Sequence, residues 1–434
     1  MLKNFIQYTR RRFQAIIATA ICCLSAALIF SAVGSCIRNS DSSVYKHPKP
    51  GLPNPPPPTS TSAAIRVRLS DHVETAEVGT TGAYQVLADG QTVSASHQAM
   101  APTLLRRNGS QWWLGGKCVS GATVSIIPIG ESYVRNNGKT YRGSLTAKPA
   151  DGMLLLNVDN HVYMESYLAG VLASELLRSW HQEAFNALAV AARTYATYEM
   201  SHNGRKRDFD VYDDQRSQVY GGIGAETVKS LTAVNVTQGM VLVIGPAGAE
   251  RVFKTYYSSC CGGITNPATG LEPQGESTRA LAGGVVCNDC AASTRYRWAT
   301  VRIAKSDIFT ALARTYPTIA LFGGVRQVRV ASTTNWGRPA MVEIIGPEGQ
   351  DIQVRADDLR LSLIRSGLPG TATLYSMNCI PQDDGLYVNF TQGRGYGHGV
   401  GLCQYGIQGK ALRGMAYYDI LYSYFPGAKI MKAY

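Results

Sequence analysis

The sequence predicts an α+β fold in which mixed sheets surround one buried, alanine-rich helix. Three observations carry that expectation. From Ile65 to about Asn157 apolar and polar residues alternate between turn signals, as half-buried strands do. The run Ala187-Leu188-Ala189-Val190-Ala191-Ala192 sits in a long stretch of helical spacing, and strands and helices mix from Val301 onward. At 434 residues the chain is long enough to bury an ample core.

Taken in order, residues 1–35 begin with Lys3, Arg10, Arg11 and Arg12 and continue as an apolar run from Ala15 to Val33. A basic start, an apolar core and then small residues are the order of an export signal. Val33-Gly34-Ser35-Cys36 has the form of a lipobox, which would put a lipid on Cys36. An uncleaved anchor is the alternative, because the apolar run can just span a bilayer. Either way the body is expected in the cell envelope, tethered to a membrane. Residues 36–62 read as a linker, since Pro48, Pro50 and the run Pro55 to Pro58 favour an extended polyproline spacer.

The formal charge is +12, and residues 1–35 hold four basic and no acidic residues, which leaves +8 for the rest. That excess suits a polyanionic partner. Nothing in the chain has the form of a nucleic-acid module, and nucleic acid is not expected among its partners.

Residues 63–434 are expected to form one body: a β-rich part (63–157), a helical and cysteine-rich part (158–300) and a further β part ending in a glycine-rich loop (301–434). In the first, Ile65 to Leu69 and Ala122 to Ile126 alternate, Met153 to Leu156 is a short apolar run, and Asn137-Gly138 marks a turn. Trp112-Trp113 reads as core or sheet-face packing. In the second, Ser179 to Gln182 fits a capping box with Ser179 as the cap. Trp180, Ala184, Leu188, Ala191 and Tyr195 then follow at helical spacing, and Asn203-Gly204 gives a stop. Arg193 lies inside this apolar helix. If buried, it must be paired with a carboxylate or a substrate oxygen; if not, it is a solvated outer-face residue.

The third part closes on Gly393-Arg394-Gly395-Tyr396-Gly397-His398-Gly399-Val400-Gly401-Leu402-Cys403-Gln404-Tyr405-Gly406. Six glycines in fourteen residues cannot form a helix interior, where each costs about 1 kcal/mol relative to alanine. They describe a loop whose backbone comes close to another surface. No Gly-Lys-Ser/Thr follows, which excludes a phosphate-cradling loop.

This run, together with Ile420 to Ala428, resembles the closing signature of the SpoIID/LytB family of bacterial wall proteins. Glu165 to Glu175, Trp180 and Ala187 to Ala196 resemble an earlier block of the same family, in the same order. The resemblance spans roughly Ile65 to Tyr434. It implies a SpoIID-like catalytic body and a lytic transglycosylase acting on peptidoglycan glycan strands whose stem peptides have been removed. It also implies an alternative, a wall-binding protein that stimulates a peptidoglycan amidase.

Glu175 matches the glutamate that the family uses catalytically. Its neighbours Leu172, Leu176 and Leu177 would raise its pKa by desolvation, as a general acid near neutrality requires. Glycoside hydrolysis normally needs two carboxylates. A muramic acid C6 hydroxyl attacking C1 removes that need, and no cofactor is required. Glu165, Glu183 and Asp214 are candidates for a second carboxylate. His398, Gln404 and Tyr405 are expected to line the cleft as binding residues, with Arg193, Gln218 and Ser259 in the same role.

Seven cysteines remain once Cys22, Cys23 and Cys36 are set aside, and an odd number cannot all pair within one chain. Cys287-Asn288-Asp289-Cys290 has CxxC spacing, and Cys261 precedes a Gly-Gly turn. These three are expected to hold a structural zinc or to share a disulfide.

Overall fold

A computed structural model describes residues 63–270 and 278–434. The expected export signal, Cys36 and the expected proline-rich linker lie outside the described residues. The architecture is mixed, with about 27% helix and 35% strand distributed over several sheets.

The β-rich part builds two sheets. One has seven strands, ordered Val211–Tyr212, Ala64–Val73, Leu156–Tyr163, Ser144–Pro149, Val124–Pro128, Tyr84–Ala88 and Gln91–Ser96. The other has six, and within it Asn137-Gly138 closes the hairpin between Val134–Asn136 and Lys139–Tyr141. Trp112 is fully buried, and its indole nitrogen donates to the Gly121 carbonyl at 2.9 Å. That satisfies its one polar atom and makes it a core residue rather than a sugar platform.

The strand Leu156–Tyr163 runs directly into the helix Met164–Glu175, so the sheet fixes where that helix ends. The long helix Gln182–His202 follows. Its cap is His181, whose ring nitrogen accepts from the Glu183 amide; Ser179 lies two residues too early for the expected box. Every residue from Ala184 to Ala196 is buried, not one face alone. The helix therefore crosses the core, touched by Met164–Glu175, Val228–Val236, Met240–Ile244, Gln404–Leu412 and Tyr417–Tyr424. Small alanine side chains let so many elements approach one axis.

Arg193, buried in that helix, forms a bidentate pair with Glu165: Nη2 to Oε2 at 2.6 Å and Nε to Oε1 at 2.9 Å. Its remaining capacity goes to the Met240 carbonyl at 3.1 Å, while the Gly239 amide and the Tyr434 hydroxyl donate to Glu165. The pair locks three elements together and leaves neither residue for a ligand.

Residues from Ile303 to Phe390 form a second core of their own, around the sheet Gln327–Thr333, Pro339–Ile345 and Asp351–Arg355 and the helices Lys305–Ala313 and Ala356–Ser366. The apolar run from Met153 to Leu156 is corrected: Met153 and Leu154 are exposed and only Leu156 enters the strand.

Candidate active site

Glu175 is the last residue of the helix Met164–Glu175, because Leu176 turns to extended backbone (φ −116°, ψ 150°). Its carboxylate meets three donors from three distant segments. The Val219 amide reaches Oε1 at 2.9 Å, the Tyr257 hydroxyl reaches Oε1 at 3.4 Å, and the Gln404 side-chain amide reaches Oε2 at 2.9 Å. Burial raises its pKa above the ordinary carboxyl value, and the three hydrogen bonds offset part of that rise. Leu177 is more than half exposed, so the desolvation comes from the cleft walls rather than from that leucine.

The glycine-rich loop supplies Gln404 by running beside the chain from Tyr256 to Asn266. Leu402–Cys403 pairs in parallel with Tyr257–Ser258, and bridges join Cys260 to Tyr396 and Asn266 to Val400. Gly401 shows why glycine is needed here. Its φ is +68°, and a Cβ there would sit 2.2 Å from the Tyr256 carbonyl oxygen.

A groove passes the site. One half, of about 370 Å³, is lined by Glu175, Ser217, Tyr257, Ser259, His398 and Gln404, among others. The other half, of about 350 Å³, shares Ser217, Tyr257 and His398 and is lined by Arg216, Lys254, Arg355, Arg360 and Arg365, with Asp357 and Asp358. Cations outnumber carboxylates among these lining residues, and Arg216, Lys254, Arg355 and Arg360 are held in ion pairs with Asp214, Glu199, Asp358 and Asp357.

His398 lies at the join of the two halves. Burial lowers its pKa to about 4, so the ring is neutral near pH 7. Its Nδ1 accepts from the Val400 amide at 3.0 Å, and the ring also hydrogen-bonds the Tyr257 backbone. Nδ1 is therefore used within the loop and the ring also bonds the strand beside it, so what His398 offers a ligand is surface rather than a proton.

Of the expected binding residues, the groove brings His398, Gln404 and Ser259 together with Glu175. Three others are placed elsewhere. Arg193 is spent on Glu165 in the core. Gln218 is fully buried, accepting from the Tyr167 hydroxyl at 3.0 Å and donating to the Ala192 carbonyl at 3.3 Å. Its position steadies Val219, the next residue. Tyr405 turns away to pack edge-on against Trp180, with ring centroids 5.0 Å apart.

The candidate second carboxylates are also occupied. Glu165 holds Arg193, Glu183 accepts from the Tyr417 amide at 2.6 Å, and Asp214 pairs with Arg216 at 2.9 Å. Among the described residues, Glu175 is the one carboxylate lining its half of the groove. Sequence reasoning missed Tyr257, which sits in a mixed polar and aromatic stretch with no motif of its own, and Arg338. The latter is a buried cation that donates to the His398 carbonyl and so fixes the loop from behind.

The donors to Glu175 are separable by mutation. Gln404→Leu is expected to raise the Glu175 pKa further, because it removes a hydrogen bond that favours the charged form. Carboxyl carbon NMR titration of the variant and the parent checks this. An unchanged Glu175 titration would show that Gln404 does not hold the carboxylate.

Residues 155–244 match the protein family described as Stage II sporulation protein, a span that includes Glu175 and Val219 but not Tyr257, His398 or Gln404. An uncharacterized protein of Brachyspira hyodysenteriae is 32% identical over 295 residues, covering 68% of this chain and 73% of that protein. The Amidase enhancer of Bacillus subtilis is 25% identical over 347 residues, 71% of this chain and 47% of the relative. Stage II sporulation protein D of Bacillus subtilis is 28% identical over 309 residues, 68% of this chain and 82% of the relative.

Proposed function

Since the chain belongs to the SpoIID/LytB family, we propose that it is a peptidoglycan lytic transglycosylase. It cleaves the bond between N-acetylmuramic acid and N-acetylglucosamine in peptide-stripped strands and leaves 1,6-anhydro ends. The observation that carries this reading is the solitary Glu175, partly desolvated and held by three donors, in a half-groove with no second carboxylate among the described residues.

Among the described residues no second carboxylate lines Glu175's half of the groove for paired-carboxylate hydrolysis, and Asp357 and Asp358 in the other half are held by Arg360 and Arg355. An internal nucleophile removes the need for one. The protonated Glu175 gives its proton to the glycosidic oxygen as the C1–O bond breaks, the electron pair leaving with that oxygen. The C6 hydroxyl oxygen of the same sugar closes on C1, and its proton passes to the Glu175 carboxylate, which restores the acid. The raised pKa favours the acid form relative to an ordinary carboxyl group, which is the direction a general acid needs. The cationic half-groove suits strands whose lactyl carboxylates are free once the peptides are gone. The chemistry uses no cofactor, so any zinc at the buried cysteines is structural.

The body works in the cell envelope, held to a membrane by a lipid on Cys36 or by an N-terminal anchor. Among the described residues no helix is long and apolar enough to cross a membrane.

A second reading has one specific support, the similarity to a relative named Amidase enhancer, of which this chain spans 47%. On that reading the groove binds glycan and a peptidoglycan amidase does the cutting. Mass spectrometry of peptide-stripped strands incubated with the purified protein separates the two. Anhydro ends formed without any amidase support the transglycosylase. Their absence, with stimulation of an added amidase, supports the enhancer.

A further inference from the structure

Four cysteines from three parts of the chain converge behind the active site. Cys261 follows the strand Tyr257–Ser258, Cys287 and Cys290 flank a short turn, and Cys403 ends the strand Leu402–Cys403 of the glycine-rich loop. All four are buried, and their sulfurs all lie within 4.8 Å of one another. We propose that Cys261, Cys287, Cys290 and Cys403 bind one zinc ion as a closed tetrathiolate site, and that this ion fixes the strand presenting Gln404 to Glu175.

The geometry favours a metal over a bridge. The sulfurs of Cys261 and Cys290 are 3.7 Å apart. A tetrahedron of sulfurs about 2.3 Å from a central ion has edges of about 3.8 Å. A disulfide needs sulfurs at about 2.05 Å, and all seven described cysteines are free. Cys260, adjacent in sequence, points its thiol instead toward the Cys290 carbonyl at 3.7 Å and lies outside the group of four.

The surroundings match a thiolate centre as well. The Cys261 amide donates to the Cys403 sulfur at 3.3 Å, and the Tyr424 hydroxyl lies 3.0 Å from the Cys287 sulfur. Such outer hydrogen bonds orient and stabilise metal-bound sulfur. Gly406 leaves the space: a Cβ there would come within 2.5 Å of the Cys287 sulfur. With four protein ligands the ion has no open position, which marks a structural site rather than a catalytic one.

The consequence for the active site is direct. Cys403 precedes Gln404, and Cys261 follows by two residues Ser259, whose carbonyl accepts from the Tyr405 amide at 3.0 Å. The ion thus ties together the two strands that supply Gln404 and Tyr257 to Glu175.

Metal content of the purified full chain, measured by inductively coupled plasma mass spectrometry, is expected to be one zinc per chain. Cobalt substitution should give the intense visible absorption and charge-transfer bands of a tetrahedral tetrathiolate. Tyr424→Phe, which keeps all four ligands, should weaken zinc binding by about 10-fold to 100-fold, the usual cost of losing an outer-shell partner. Cys403→Ser should weaken it at least as much, while Cys118→Ser leaves it unchanged. A chain without zinc, with the four thiols free or disulfide-bonded, overturns the proposal, as does iron in place of zinc. These readouts do not involve glycan cleavage, so they stand or fall apart from the role of Glu175.

Discussion

Glu175→Gln is expected to lower formation of 1,6-anhydro ends by at least about 10²-fold to 10⁴-fold, while the fold and glycan binding persist. The amide keeps the shape of the acid but can neither give nor regain the proton. Retention of the fold follows from the site itself. The variant's carbonyl can still accept from Val219 and Tyr257, and the Gln404 amide can turn its own carbonyl toward the new NH₂. Stability should not fall. The native state holds the Glu175 proton more tightly than the unfolded chain does, since burial raises its pKa. Stability is therefore lost as pH rises from the ordinary carboxyl pKa through the folded one, and glutamine removes that loss. The parent's activity should decline on the alkaline side as Glu175 loses its proton. Counting anhydro ends by mass spectrometry, alongside a binding isotherm on the same strands, tests the assignment. Parental rates in Glu175→Gln would end it.

Arg193→Ala is expected to cost about 3–5 kcal/mol of folding stability, because it leaves the Glu165 carboxylate buried without its partner. That is a large share of the roughly 5–15 kcal/mol that holds a typical protein folded. If Arg193 instead contacted glycan, its loss would weaken binding and leave the unfolding midpoint near the parental value. Urea unfolding distinguishes these outcomes. The double change Arg193→Met with Glu165→Leu should recover most of the loss, since no unpaired charge remains. A single Arg193→Ala that costs less than about 1 kcal/mol would show that the pair is not the anchor its geometry describes.

Arg193 also shows where the sequence was and was not legible. Its burial follows from an apolar helix, and the need for a partner follows from burial. The choice between carboxylate and substrate did not, because Glu165 lies 28 residues away and their meeting depends on how two helices cross. The strands with clear alternation, the Asn137-Gly138 turn and the helix around Ala187 to Ala196 were readable, since their signals are local. Glu175, Gln404 and His398 were picked out by resemblance, not by spacing. Tyr257 and Cys403 carry no local signal of a role, because each acts only through a partner brought in by the fold. Tyr405 and Gln218 erred for the reverse reason: beside true groove residues in sequence, they point to the opposite side of the backbone.

The three donors to Glu175 come from residues 44, 82 and 229 positions further along the chain. A polypeptide is made and folds from its N-terminal end, and long-range closures come late. The helix bearing Glu175 can thus be complete while its carboxylate still lacks Gln404, the Tyr257 register and the far wall of the groove. A nascent or prematurely ended chain carries the acid without the setting that makes it an agent of cleavage. On the proposed cleavage of wall glycan, the order of assembly is itself a safeguard: cutting competence arrives only with the last quarter of the chain.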